Sequence, residues 1–190
     1  MSELNILIVG VGGQGSLLAS RILGSYCCAK GLDVKVSEVH GMSQRGGSVV
    51  TYVRAGERID SPLIEQGGAD VIISFEELEA FRYVGYLKKG GRVIANSQRI
   101  EPMPVIMGSA VYPENIPEKL ADLGAEAVFI DALSLALEAG SAKAANVVML
   151  GAASKYLGGS EEEWLAAVEK CVPARFLEMN KRAFLLGKNI

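Results

Sequence analysis

Two stretches of this chain carry more chemistry than a connection between secondary-structure elements needs. The first is Gly10-Val11-Gly12-Gly13-Gln14-Gly15. It sits where an apolar run ends and a helical pattern begins, so its backbone N–H groups face outward at the positive end of a helix. With no Cβ atoms in the way, a phosphate or a partner's backbone can approach them, closest at Gly12 and Gly13. The same glycines would equally serve a tight turn and close helix packing with no ligand, and both readings stand on the residues alone.

The second stretch is Ser37-Glu38-Val39-His40-Gly41-Met42-Ser43-Gln44-Arg45-Gly46-Gly47-Ser48. Arg45 brings a planar, permanently charged fork suited to carboxylate or phosphate. Ser43 and Gln44 add neutral hydrogen-bonding groups, and Gly46-Gly47 let the backbone come close to a ligand or a partner. His40 could carry a proton, but no Ser or Cys nucleophile with a partnering acid can be assigned beside it. Against this stands the reading of a solvated loop with a turn or capping role.

The elements that must position these residues follow from the hydrophobic pattern. Leu4 to Val9 is an aliphatic run interrupted only by Asn5, as for a central strand covered on both faces. Gln14 to Lys30 has helical spacing and Gly31 is a suitable left-handed stop. Strands are expected at Val34 to Ser37 and Ser48 to Arg54, with Ala55-Gly56 turning a hairpin into a further strand at Glu57 to Ile59. Next come a strand at Val71 to Phe75, a helix at Glu76 to Leu87, and a strand at Arg92 to Ala95 introduced by Gly90-Gly91. Pro102, Pro104, Pro113 and Pro117 make residues 101–117 irregular, with Val105 to Val111 the best strand candidate there.

A helix at Glu118 to Leu123 and a strand at Ala127 to Ile130 close the alternating part. Beyond Asp131 the pattern is helical, at Ala132 to Leu137, Ala144 to Tyr156, Glu161 to Val172 (with Ser160 as N-cap) and Arg175 to Leu186. The fold class is therefore α/β: a Rossmann-like, mostly parallel sheet flanked by helices, with a β-hairpin excursion and a helical C-terminal region, read as a single domain over residues 1–190. Both polar stretches follow strands of one direction, so they should share a crevice at the carboxyl edge of the sheet. A site of this kind suggests a nicotinamide or flavin dinucleotide, and Glu38 lies near the place, about 20 residues on, of the acidic ribose-binding residue. The hairpin that follows departs from that pattern.

Composition narrows the classes. The 190 residues are 49% hydrophobic and 22% charged, with a net charge of −3, so nothing global points to nucleic acid. The N-terminus lacks a basic signal region and no apolar run reaches the roughly 20 residues of a membrane span. A cytoplasmic protein with no membrane partner is expected. Cys27, Cys28 and Cys171 make neither a disulfide framework nor a cluster-binding set and are expected to be buried structural thiols. His40 is the single histidine, so no His-rich metal site is built from this chain. Trp164, Leu165, Val168 and Cys171, and Phe176, Met179, Phe184 and Leu185, form apolar stripes expected to pack in the core.

The glycine turn, the Glu38–Ser48 loop and the Val53-Arg54 strand end together resemble the gamma domain of 2-oxoacid:ferredoxin oxidoreductases. The wording His40-Gly41-Met42-Ser43-Gln44-Arg45-Gly46-Gly47-Ser48 is similar to the small, beta subunits of the indolepyruvate branch. Ser61-Pro62, Ala69-Asp70-Val71, Asn146 with Leu150-Gly151-Ala152, and Asn180 with Ala183-Phe184 and Gly187 extend the resemblance over the whole chain. It implies a heteromeric enzyme that oxidatively decarboxylates aryl-2-oxoacids to acyl-CoA and reduces ferredoxin. A larger alpha subunit would hold thiamine diphosphate, magnesium and iron–sulfur clusters, with CoA as co-substrate. This chain would bind no cofactor tightly and be inactive alone. By the same resemblance, Gly10, Gly12, Gly13, Gln14 and Gly15 would meet a CoA phosphate or the partner. Ser43, Gln44, Arg45, Gly46 and Gly47 would line a shared site, with Arg45 facing it. Another 2-oxoacid, an NAD-binding protein or a purely structural docking module are the alternatives.

Overall fold

The computed structural model describes residues 3–40 and 46–190. Its core is a six-stranded sheet in the order β2-β3-β1-β4-β5-β6. The strands are β1 (Leu4–Val11), β2 (Asp33–His40), β3 (Ser48–Gly56), β4 (Ala69–Ser74), β5 (Leu87–Asn96) and β6 (Glu126–Ile130). β4, β5 and β6 run parallel to β1, whereas β3 is antiparallel to both β1 and β2. The sheet is thus mostly parallel with a hairpin excursion, as the sequence pattern requires. The helices are α1 (Ser16–Ala29), α2 (Glu77–Tyr83), α3 (Met103–Ile106), α4 (Ile116–Asp122), α5 (Ala132–Ala139), α6 (Ala145–Leu157), α7 (Glu161–Cys171) and α8 (Leu177–Lys188).

β1 explains the layering. Its side chains alternate across the pleat, so Ile6 and Ile8 enter one core with α1, α5, α6, α7 and α8, while Leu7 and Val9 enter a second with α2 and α4. All four are essentially inaccessible, which is why Ile6 to Val9 are all aliphatic, while the polar Asn5 sits at the half-buried amino end of the strand. The first core is closed by Trp164, which stacks on Tyr26 with ring centroids 3.8 Å apart and leans on Phe184 at 5.8 Å. Trp164 Nε1 and the Tyr26 hydroxyl both donate to the carbonyl of Gly158, at 2.8 and 2.9 Å, so the buried pair keeps its polar ends satisfied. Ser160 caps α7 in a reciprocal box with Glu163, as expected. Gly31, at φ 77°, ends the α1 turn.

Four expectations are corrected. The hairpin is β2–β3, with the polar loop at its tip, not a pair turning at Ala55-Gly56. Those two residues stay in β3 opposite Val34 and Asp33, and the Ile59 N–H is taken by the Asp33 carboxylate at 2.8 Å, so residues 57–59 form no strand. Val105 to Val111 is not a strand either. Backbone bonds from Val105 and Ile106 to Pro102, from Met107 to Met103, and from Ser109 and Ala110 to Pro104 close it into α3 and a following turn. The prolines act as helix starters, where a missing N–H costs nothing. Gly90-Gly91 lies inside β5, absorbing a bulge against β4 between Ala69 and Val71 rather than introducing the strand. The helix expected to reach Leu87 stops at Tyr83 and tightens into a 3₁₀ turn at Val84–Tyr86.

Candidate functional site

The glycine turn lies at the carboxyl end of β1, beside the carboxyl end of β4, where the strand order reverses and crevices form in open α/β sheets. Gly13 at φ 103° and Gly15 at φ 85° hold the left-handed conformations that let β1 run directly into α1. Gln14 turns inward. Its Oε1 accepts from Val11 N at 2.7 Å, and its Nε2 donates to Phe75 O at 2.9 Å and to Gln98 Oε1 at 3.3 Å. Gln14 therefore staples the turn to the ends of neighbouring strands. Asn146 Nδ2 donates to Gly15 O at 3.0 Å, and a Cβ on Gly15 would collide with that amide. Among the described residues, the N–H groups of Gly13, Gly15, Ser16 and Leu17 have no acceptor, and a Cβ position on Gly13 meets nothing within 4 Å.

Gly46 and Gly47 of the second polar stretch come to the same rim. Gly12 N donates to Gly47 O at 2.8 Å and Gly46 N to Gly12 O at 3.4 Å, which joins the two loops by backbone bonds. This follows because α1 carries β2 past the position beside β1, and β3 returns antiparallel to fill the gap, bringing residues 46 and 47 back to Gly12. Gly41 to Arg45, and with them Ser43, Gln44 and Arg45, lie outside the described residues, as does the side chain of His40.

Glu38 does not have the setting of a dinucleotide's ribose clamp. Its Oε2 accepts from Ser16 Oγ at 2.9 Å and Thr51 Oγ1 at 3.2 Å, and β3 separates its strand from β1. The carboxyl lies over the first turn of α1, where a negative group is itself favourable.

Beside a cleft that Glu38 and Val49 share with Gly12, Gly13, Gly15, Ser16 and Leu17, two further clefts flank the turn. One, about 480 Å³, is lined by Gly13, Gln14 and Gly15 together with Phe75, Asn96, Gln98, Lys143 and Asn146. The other, about 420 Å³, runs from Val11, Gly46, Gly47 and Ser48 to Leu78, Glu79 and Arg82 of α2, and on to residues 100–106.

Three glutamates at the head of α2, which composition alone does not distinguish from surface acids, are buried: Glu76 at 1%, Glu77 at 5% and Glu79 at 3% exposure. Glu76 accepts from Glu79 N at 2.9 Å, Ile100 N at 3.0 Å and the Tyr112 hydroxyl at 2.6 Å. Glu77 pairs with Arg99, Nε to Oε2 at 2.6 Å. Glu79 accepts from Ser48 Oγ and from Arg82, and burial, the largest influence on it, raises its pKa above the ordinary carboxylate range. Sequence reading passed over Asn96, Gln98, Lys143 and these glutamates. The available signal was acids at positions 76, 77 and 79 directly after the buried run Val71 to Phe75.

Other residues of the resemblance do architectural work away from the rim. Arg54 sits at the amino end of β1, bound to Asn5, Ser61, Leu63 and Glu3. Gly151 and Gly187 allow α6 and α8 to touch backbone to backbone, and Asn180 Nδ2 donates to Phe176 O at 2.9 Å. Of the cysteines, Cys27 is buried, Cys171 is half-buried and Cys28, contrary to expectation, is exposed. Among the described residues no group of three or more His, Cys, Asp or Glu side chains is placed to hold a metal ion, and no helix is long and apolar enough to cross a membrane.

Comparison with known proteins places this α/β sheet, with its glycine turn bonded to Gly46 and Gly47, in one enzyme family. The chain belongs to it: the family model described as pyruvate ferredoxin/flavodoxin oxidoreductase matches residues 5–190. Among individual relatives, the indolepyruvate oxidoreductase subunit IorB of Thermococcus kodakarensis is 47% identical, over 98% of this chain and 95% of that protein. The keto/oxoacid ferredoxin oxidoreductase gamma subunit of Geobacter sulfurreducens superposes with a TM-score of 0.73 at 25% identity, over 98% of this chain and 96% of that one. The 2-oxoglutarate:ferredoxin oxidoreductase of Magnetococcus marinus, solved with 2-oxoglutarate, coenzyme A and succinyl-CoA bound, matches with a TM-score of 0.74 at 25% identity, over 100% of this chain but 31% of that one.

Proposed function

We propose that the chain is the small subunit of an indolepyruvate-type 2-oxoacid:ferredoxin oxidoreductase. In that enzyme an aryl-2-oxoacid loses CO₂, its acyl group is transferred to the CoA thiol, and the electron pair released reduces ferredoxin. The observation that carries this reading is the 47% identity, end to end, to an indolepyruvate oxidoreductase subunit. In this reading thiamine diphosphate, magnesium and the iron–sulfur clusters belong to the larger alpha subunit, and the complex works in the cytoplasm. Residues 1–190 act as one unit that completes a neighbour's reaction centre.

The rim is suited to a CoA phosphate. The N–H groups of Gly13, Gly15, Ser16 and Leu17, which have no acceptor among the described residues, and the open face of Gly13 offer positive potential to an anion; Lys143 adds to it in the cleft that Gly13 and Gly15 share with Gln14, whereas Glu38 opposes it in the cleft that the same two glycines share with Ser16 and Leu17. Gly10, Gly12 and Gln14 shape this surface rather than presenting free donors, because Gly12 N and the Gln14 amide are already engaged. Ser43, Gln44, Arg45, Gly46 and Gly47 form the shared-site loop of this proposal, with Arg45 its candidate active-site contributor.

The test is co-purification with the alpha subunit, followed by a CoA-dependent arylpyruvate assay that reads ferredoxin reduction. Turnover of indolepyruvate well above pyruvate, oxoglutarate and branched-chain oxoacids supports the reading, and the reverse order overturns it. Arg45→Ala then separates the roles. A ligand role leaves assembly intact and raises the KM for CoA or oxoacid, whereas a docking role weakens assembly with CoA affinity unchanged once assembled.

A further inference from the structure

Between β5 and α4 the chain projects a stretch of apolar surface that its own core does not use. Met103, Ile106, Met107 and Val111 are 60%, 61%, 69% and 88% exposed. From Ile100 to Tyr112 the only charged residue is Glu101. Isolated exposed apolar side chains are ordinary, but several within nine consecutive residues are the mark of a surface that meets a partner.

The segment is built, not slack. Glu76, almost wholly inaccessible, accepts from the N–H of Ile100 at one end and from the hydroxyl of Tyr112 at the other, so one carboxyl group clips both feet of the loop. Arg99, bound to Glu77, also lies over the Tyr112 ring at 5.3 Å and backs the same clip. Inside the loop, α3 and its following turn satisfy the backbone locally, with Ser109 Oγ adding a bond to Pro104 O at 3.0 Å. A prong ordered in this way presents its apolar side chains with little further entropy to lose on binding.

Its position selects the occupant. Pro102, Met103, Pro104 and Ile106 form one wall of the cleft whose opposite wall is Gly46, Gly47 and Ser48, so the prong continues directly from the rim that carries the candidate site. In the Magnetococcus enzyme this fold is 31% of one polypeptide, so the greater part of that chain lies outside it. A partner seated at the cleft shared by the prong and Gly46 to Ser48 would lie against the prong.

We infer that the Met103–Val111 prong is a docking element that inserts into an apolar recess of the larger, catalytic subunit of the same oxidoreductase. This rests on the functional reading above and adds the surface through which that subunit is held.

The test uses the co-expressed complex. The double substitution Ile106→Glu with Met107→Glu changes exposed side chains, so the isolated chain should keep its circular dichroism and melting temperature. Its assembly with the large subunit should weaken by roughly 30-fold or more, the loss expected of an interface anchor. In the wild type, amide exchange across residues 101–111 should slow on assembly. Should the double variant instead fail to fold, the milder Val111→Ser and the exchange measurement decide between the outcomes. A folded double variant that co-purifies at wild-type stoichiometry, or unchanged exchange across the prong, overturns the inference. So does a result in which the substitutions abolish only self-association of this chain, since a second copy would then be the occupant. If the complex assembles through the prong yet does not oxidise arylpyruvates, the functional reading fails and the docking inference stands.

Discussion

Ser48 Oγ donates to Glu79 Oε2 at 2.5 Å, tying the first residue of β3 to the buried face of α2. Arg82 Nη1 donates to the other oxygen of Glu79 at 3.0 Å, and the Tyr83 hydroxyl lies 3.4 Å from Ser48 Oγ. One buried carboxyl thus connects the rim where the two glycine loops meet to the helix that also carries the prong's clip. Three predictions follow from this and from the packing beneath it.

Glu79 should make stability depend on pH. Burial raises its folded-state pKa, so the native chain holds this proton more tightly than the unfolded chain does. The stabilisation is complete below the unfolded value, about 4.3, and is lost as pH rises through the higher folded value. Glu79→Gln keeps a neutral acceptor for Ser48. Its melting temperature relative to wild type should therefore improve as pH rises from about 4.3 through the higher folded-state value, by roughly 2–4 °C for each kcal/mol involved. Thermal melts across that range check it; a difference that does not change with pH refutes it.

Gly151→Ala should destabilise the chain by roughly 1–3 kcal/mol or more, because the added methyl would collide with the Phe184 carbonyl where α6 crosses α8. Gly187→Ala should do the same against Val148 O. Both added methyls push α6 and α8 apart at one crossing, so a single separation of the helices accommodates both and the double variant should lose less than the sum of the singles. Urea denaturation of all three variants measures this, and strict additivity would show that the helices do not share the contact.

The thiols should separate cleanly. Burial pushes Cys27 up to about 11, whereas Cys28 beside it is exposed. A disulfide reagent at pH 8 should label Cys28 within minutes and reach Cys27 only on unfolding. Equal labelling rates, read by peptide mass, would contradict the placement of this helix face.

Much of the fold was legible because its elements are locally encoded. The aliphatic run of β1, the α1 periodicity closed by Gly31 and the Ser160 capping box each follow from residues a few positions apart, and all appear where expected. The meeting of the two polar loops was legible too, since strands of one direction end at one edge. The roles within that rim were less so. Gln14 reads as a ligand group, but Phe75 and Gln98, more than 60 residues away, claim its amide.

The amino-acid sequence by itself determined the α/β class, the turn from β1 into α1 and the helical C-terminal region, because hydrophobic period and cap chemistry act over a few residues. Only the tertiary structure decided that β3 lies between β1 and β2, that Glu38 is held by Ser16 and Thr51, and that Glu76 clips the feet of an apolar prong. Each of these depends on partners distant in the chain. A glutamate is written the same way whether water or buried donors satisfy it, and burial alone decides which.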